Sequence, residues 1–437
     1  MPANWPRKID EELKAANSVP GLETCLLEYR ALRDRQLKLN LARGVPSAEQ
    51  LALSEALLAL PGPGDFRTEE GTDCRNYMGQ QGIPEARRLF AGVLGVPPEN
   101  TVVEGNSSLA LMHDCLAYAC RNGVPDGDGP WQNVAGGIAF LCPVPGYDRH
   151  FKLCEAFGIR MIPVPLRDDG PDMEVVRTLV TQDRSIRGIW CVPKYSNPTG
   201  TVYADAVVRA LAAMPTAAPD FRIFWDNAYA LHHLGDHETE IANLAELCVT
   251  HGHANRALVF ASTSKITFAG AGLALLGSSS QNLAWYLKHA AFRSVGPDKL
   301  NQLRHVRFLR DEAGLKALMR RHRAILAPRF ARVIETFRQH LGGLAQVSWT
   351  EPAGGYFITL DVVPGTARRV VDLCRNAGVI LTDAGAPFPG GIDPDDRTLR
   401  IAPSSPSLEQ VGEAAEAIAI CTRLAAAETV HGEVVLV

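Results

Sequence analysis

The sequence predicts an α/β fold: a large domain whose mainly parallel seven-stranded sheet is flanked by helices, joined to a smaller α+β domain. Three features predict it. From about residue 100, short apolar runs bounded by turn residues recur at 101–103, 137–142, 160–164, 188–192, 223–225, 257–261 and 272–276, each of strand length. Most of the intervals between them are long enough for a crossover helix, which is the pattern of a parallel sheet. After Arg293 the texture changes to a charged and apolar helical stretch over about 298–340, followed by shorter apolar runs at 347–349, 356–361, 379–381 and 399–401.

Taken in order, residues 1–40 read as helix, with Arg30, Arg33, Arg35 and Lys38 among leucines, and Gly44 and Pro46 stop it. Ser47 is placed to cap the helix that follows. The seven runs then fill one wide sheet, and the large domain is expected over 52–310. The chain's two ends, 1–51 and 311–437, are expected to share the small domain, because neither looks long enough to build a core alone.

Composition narrows the function. The 437 residues are 46% hydrophobic and 21% charged, with 38 Gly and 29 Pro dispersed along the chain, which excludes a disordered, collagen-like or coiled-coil protein. The 44 basic and 48 acidic side chains nearly cancel, so no whole-protein field draws in nucleic acid or an anionic membrane. A small-molecule substrate is the expectation. Ten cysteines without a CxxC pair suggest neither a zinc ribbon nor a disulfide scaffold. The start lacks the apolar core of a secretory signal, and no 18 apolar residues run together, so a cytoplasmic protein is expected.

Five segments could carry chemistry. In Phe260-Ala261-Ser262-Thr263-Ser264-Lys265 a buried strand runs into hydroxyls and then a lysine. Open parallel sheets bind ligands beyond such strand ends, and a desolvated lysine can lose its proton and attack a carbonyl; a solvated lysine leaving a strand is the plainer alternative. In Phe224-Trp225-Asp226-Asn227-Ala228-Tyr229 an acid follows a strand, and Asp226 could equally cap a turn. Val192 to Gly200 places Asn197 in a Pro/Gly turn at the same sheet edge. Val103 to Leu111 leads through Ser107 and Ser108 into a helix start able to bind phosphate, although either serine could be an ordinary cap. Thr398-Leu399-Arg400-Ile401 sets an arginine in an apolar strand, where it needs an anion, from a substrate or from a structural salt bridge.

The order of these segments carries more than any one of them. Phosphate turn, Asn-Pro-Thr-Gly, Asp-x-Ala-Tyr, Ser-x-Ser-Lys and a carboxyl-terminal Arg, at 107, 197, 226, 265 and 400, resemble the fold-type I aminotransferases that use pyridoxal 5′-phosphate, the aspartate aminotransferase superfamily. The resemblance takes in nearly the whole chain, including 40–47 and Tyr77 with Gly82-Ile83-Pro84-Glu85. The resemblance implies that Lys265 binds the cofactor covalently and then carries a proton at the substrate α-carbon. It implies that Asp226 pairs with the ring nitrogen and that Tyr229 and Asn197 donate to the ring's phenolate oxygen. Ser107, Ser108, Ser262 and Ser264 would surround the phosphate, and Tyr77 would reach the phosphate of the partner subunit in a homodimer with a shared active site. Arg400, helped by Asn197 and the Gly44 backbone, would clamp the substrate α-carboxylate.

Two departures qualify the resemblance. Many relatives carry a phosphate-binding arginine eight residues beyond the lysine, where this chain has Leu273, so Lys299 or an arginine is expected to substitute. The usual ring-stacking aromatic is replaced by Val144, which leaves Tyr147 as the candidate. Both departures resemble a divergent aspartate aminotransferase subgroup with regulator-like naming. The resemblance implies ping-pong transfer from L-aspartate, or another acidic amino acid, to 2-oxoglutarate. Arg149 is favoured for the distal carboxylate, with Arg293 second and a surface role open for both. A β-lyase, or an aminotransferase for aromatic or other amino acids, would share the same parts. Ser262-Thr263-Ser264-Lys265 also matches the Ser-x-x-Lys of β-lactamases, but their order of motifs fails here. Gly270 and Gly272 lack dinucleotide-site spacing. A non-catalytic regulator would need a DNA-binding domain for which the first ~50 residues leave little room.

Overall fold

A computed structural model describes residues 21–77 and 79–432. Helix Leu22–Asp34 opens the described chain and is followed by a two-residue strand, β1 (Leu39–Asn40). The large sheet takes β2 (Thr101–Val103), β3 (Ala139–Val144), β4 (Arg160–Arg167), β5 (Gly170–Pro171), β6 (Ile186–Cys191), β7 (Arg222–Asp226), β8 (Ala257–Ser262) and β9 (Ala274–Gly277). Their order is β2-β9-β8-β7-β6-β3-β4-β5. Strands β4, β3, β6, β7 and β8 run parallel. β9 is antiparallel to both β8 and β2, so β2 points the same way as the parallel set.

Helices cover both faces of the inner strands, which is why β3, β6, β7 and β8 read as unbroken apolar runs instead of alternating ones, whereas only Val164 of β4 is buried. Successive residues serve two cores. Leu141, Ile189, Ile223, Trp225 and Val259 face one cluster, while Phe140, Trp190, Phe224, Leu258 and Phe260 face the other. The result that matters for function is geometric. The carboxyl ends of β2, β3, β6, β7 and β8 all open on one edge.

The second unit has a three-stranded antiparallel sheet in which β11 (Ile358–Asp361) lies between β10 (Ser348–Trp349) and β13 (Thr398–Ile401), with β12 (Val379–Ile380) beside β1. β1 pairs in parallel with β12, Leu39 opposite Val379. Cys25, Tyr29, Leu32 and Leu41 share one apolar cluster with Phe330, Phe337, Ile358, Val411 and Ile418, so both ends of the described chain build a single core.

The structure differs from expectation in three places. The sheet gains an eighth strand, β5, too short at two residues to leave a periodic signal. Residues 1–20 of the expected amino-terminal helix lie outside the described residues, and the described helix ends at Asp34, before β1. The long stretch after 298 is two helices, Lys299–Leu309 and Glu312–Leu341, broken where Arg310 turns to φ +67°. Asp311 caps the second helix by accepting from the Gly314 N–H at 2.8 Å. A side chain at Gly314 would stand 2.0 Å from the Leu309 carbonyl oxygen, so glycine is what lets the two helices turn this closely. Ser47 does cap a helix, Ala48–Ala52, in a reciprocal box with Gln50.

Candidate active site

A cavity of about 130 Å³ lies beyond the strand ends. β2 delivers Ser107 and Ser108, β3 delivers Tyr147, β6 delivers Asn197, β7 delivers Asp226 and Tyr229, and β8 delivers Ser262, Ser264 and Lys265, all of which line it. A larger cleft of about 360 Å³ around Lys194, Glu238 and Lys316 carries carboxylates and amines too, but none of the serines, Asp226 or Lys265 that the strand ends deliver. Chemistry, not size, selects the smaller cavity.

Lys265 lies 5.1 Å from the centre of the Tyr229 ring and 5.8 Å from that of Tyr356. Desolvation pulls its ammonium below the ordinary lysine value, and the charge of Asp226 partly opposes that. Asp226 is buried, and its two oxygens differ. Oδ2 meets His150 Nε2 at 3.2 Å, whereas Oδ1 is buried with no hydrogen-bond partner. A buried carboxylate oxygen left bare is costly, and here it belongs to a residue that lines the cavity. Burial holds the Tyr229 phenol well above its usual range, with Tyr147 and Asp226 adding to the effect, so it remains a donor. Tyr147 is pushed up to about 12, first by burial.

At the opposite end, helix Ser108–Asn122 presents its first turn to the cavity. Its Ser107 makes no side-chain cap bond, which leaves that hydroxyl and the first-turn N–H groups available to an anion. Ser262 donates to Ser264 at 3.1 Å, and Ser264 to the Asn106 carbonyl at 3.3 Å. Leu273 is buried and donates its N–H to Thr263 Oγ1 at 2.8 Å. Among the described residues, Lys265 is the only cation lining the cavity.

Arg400, buried on β13, donates to Asn197 Oδ1 at 3.4 Å and so borders the same site. It also pairs with Asp148 Oδ1 at 2.7 Å and faces Thr382 Oγ1. Phe357 lies beneath its guanidinium at 5.2 Å. Gly44 is needed here because a Cβ would stand 2.6 Å from the Phe357 ring.

Four expected residues lie apart from this cluster. Arg149 is exposed and does not line the cavity. Arg293 is engaged by Glu104 and by Asp114 at 3.0 Å. The Lys299 ammonium donates to the Asn76 and Tyr77 carbonyls at 2.6 and 2.9 Å and does not line the cavity. Tyr77 is 72% exposed.

Other residues of the site were not singled out from sequence. His150 stacks on Trp190 at 4.3 Å and 11°, and it holds Asp226. Its signal was its place three residues after Tyr147, one helical turn along the same face. Two more histidines brace the lysine loop: His232 Nε2 meets the Lys265 carbonyl at 3.2 Å, and His322 Nε2 the Ile266 carbonyl at 2.8 Å. Gln50 joins His322 to the Tyr356 hydroxyl. Nothing in the sequence marks these long-range contacts.

The similarities of the chain to known proteins run its whole length. The family model described as aspartate amino-transferase matches residues 16–433. A Mycolicibacterium smegmatis protein provisionally named an aminotransferase is 53% identical over 407 residues, 93% of this chain and 95% of that one. An aspartate aminotransferase of Corynebacterium glutamicum is 47% identical over 401 residues, 92% of each chain. The crystal structure of an aspartate transaminase from the same organism superposes with a TM-score of 0.91 at 46% identity, covering 94% of this chain and 96% of that one.

Proposed function

Because this chain belongs to the aspartate aminotransferase family, we propose that it transfers the amino group of L-aspartate, or another acidic amino acid, to 2-oxoglutarate in a ping-pong cycle. Enzymes of this family depend on pyridoxal 5′-phosphate, and the cavity fits that group. The observation that carries the reading is the bare Oδ1 of buried Asp226 in the same cavity as the desolvated amine of Lys265. A protonated ring nitrogen is the partner that this oxygen lacks. When bound, the cofactor supplies a ring that accepts the electron pair left as the substrate α-proton departs.

The chain's own residues do the remaining work. Lys265, whose ammonium burial pulls below the ordinary lysine value, would hold the cofactor aldehyde and act as the base at the α-carbon. His150 fixes one oxygen of Asp226 so that the other meets the ring nitrogen. Tyr229 and Asn197 would donate to the ring hydroxyl oxygen, and Tyr147, which lines the same cavity, would pack against the ring. Ser107, Ser108, Ser262, Ser264 and the helix start hold the phosphate through hydroxyl and backbone donors, without the arginine that position 273 lacks. Arg400 orients the substrate α-carboxylate. Arg149 or Arg293 would reach a second carboxylate only after leaving its present place.

The reading extends to organisation. The large domain is taken as 52–310 and the small domain as 1–51 with 311–437, which is supported by the shared apolar cluster of both ends. The protein is taken to be a cytoplasmic homodimer in which the exposed Tyr77 reaches the partner subunit's phosphate site. Among the described residues no helix is long and apolar enough to cross a membrane. The deciding experiment is the absorption spectrum of the purified holoenzyme. Adding L-aspartate alone should shift the cofactor band, and 2-oxoglutarate should restore it. Release of ammonia or pyruvate without an acceptor would instead make the protein a lyase.

A further inference from the structure

A guanidinium has five N–H groups, and the structure commits four of those on Arg400. Nη1 donates to Asp148 Oδ1 at 2.7 Å and to Asn197 Oδ1 at 3.4 Å. Nε and Nη2 each donate to Thr382 Oγ1 at 3.3 Å. One N–H, on Nη2, is left. A carboxylate gripped by the fork takes two parallel N–H groups, so it cannot seat while all four contacts persist.

The four contacts are not equivalent. Asn197 and Thr382 are neutral, and the Thr382 hydroxyl is itself anchored to the Ala42 carbonyl at 2.6 Å. Asp148 alone is an anion, and it makes the shortest contact. It also has somewhere to go: its side chain is 27% exposed against 7% for that of Arg400. As the first residue of helix Asp148–Ala156 it keeps a favourable place at the positive helix end whether or not it touches Arg400.

We infer that Asp148 is an internal counter-carboxylate, which the substrate's own carboxylate must displace from Arg400, and that it thereby sets the affinity of the site for carboxylate ligands. The inference rests on the reading of Arg400 as the carboxylate clamp. It accounts for a buried arginine that keeps an ionic partner of its own, and it makes a ligand bearing a single carboxylate a poor competitor. Asp148 is a specificity-determining residue on this view, with no part in proton transfer.

The test uses the holoenzyme and two probes, acetate and L-aspartate. Asp148→Asn preserves shape and the helix start but removes the competing charge. Acetate binding, followed through the cofactor absorbance, should tighten roughly tenfold, the lower end for a hydrogen bond to a charged group. KM for L-aspartate should fall by a similar factor, with the gain on KM and not on kcat. Asp148→Ala should behave the same way, and added acetate should raise the melting temperature of both variants more than that of the parent. An unchanged or weakened acetate affinity in both variants overturns the inference. Arg400→Ala separates the two readings. If it loses acetate and L-aspartate binding while the Asp148 variants gain nothing, only this inference falls; if it binds both like the parent, the clamp reading itself is wrong.

Discussion

Replacing His150 by Phe tests how Asp226 is kept in place. The substitution retains an aromatic ring to stack on Trp190, where the present rings lie 4.3 Å apart at 11°, but deletes the nitrogen 3.2 Å from Asp226 Oδ2. Asp226 would then have two bare oxygens in a buried setting, since Oδ1 already lacks a partner. A hydrogen bond to a charged group is worth about 1.5–3 kcal/mol, so cofactor affinity and kcat/KM should each fall roughly 10- to 150-fold. The cofactor dissociation constant, read by fluorescence quenching, should be measured for the parent, His150→Phe, Asp226→Asn and the double variant. If His150 acts through Asp226, its loss costs little once Asp226 is already Asn, so the two losses are not additive. A His150→Phe protein within twofold of the parent, or an equal loss in both backgrounds, would refute the reasoning.

Three further outcomes are expected. Burial pulls His232 down to about 3 and His305 to about 4, from an ordinary 6.5. The unfolded chain takes up protons below 6.5 that the folded rings refuse, so stability drops from that pH toward 3–4 by about 1.4 kcal/mol per pH unit for each ring. Urea midpoints at pH 7.5 and 5 check this, and a higher midpoint in acid would contradict it. Gly44→Ala pushes a methyl to 2.6 Å from the Phe357 ring beneath Arg400, an overpacking cost of about 1–3 kcal/mol. KM for L-aspartate should rise while cofactor affinity holds, and equal damage to both would place the effect elsewhere. Mixing inactive Lys265→Ala and Tyr77→Ala proteins should restore activity toward roughly a quarter of the parent, because each mixed dimer regains one intact site; no restoration would argue against a shared site.

The sheet was legible because its inner strands, β3, β6, β7 and β8, are buried on both faces and therefore stand out as apolar runs. β5 was not, since two residues carry no period, and neither was the break at Arg310, whose sign is only the cap Asp311 and the permissive Gly314. The cavity could be read because β2, β6, β7 and β8 each end in residues with recognisable chemistry. Direction was the missing quantity. Arg149 and Asp148 adjoin in the chain, yet one is exposed while the other grips Arg400, 252 positions away. The bracing of Lys265 by His232 and His322 arises from separate elements that only folding brings together.

The union of both chain ends in one core bears on synthesis. Tyr29 donates to the Leu373 carbonyl across 344 residues, and Arg423 reaches Glu28 across 395. At about 5–20 residues per second of translation, a ribosome needs roughly 20–80 seconds to supply the second half of that core after the first has emerged. Throughout that interval the apolar stripe of Cys25, Tyr29 and Leu32 lacks the carboxyl-terminal part of its core, Val411 to Ala427, which makes this helix of the nascent chain a natural client for a holding chaperone.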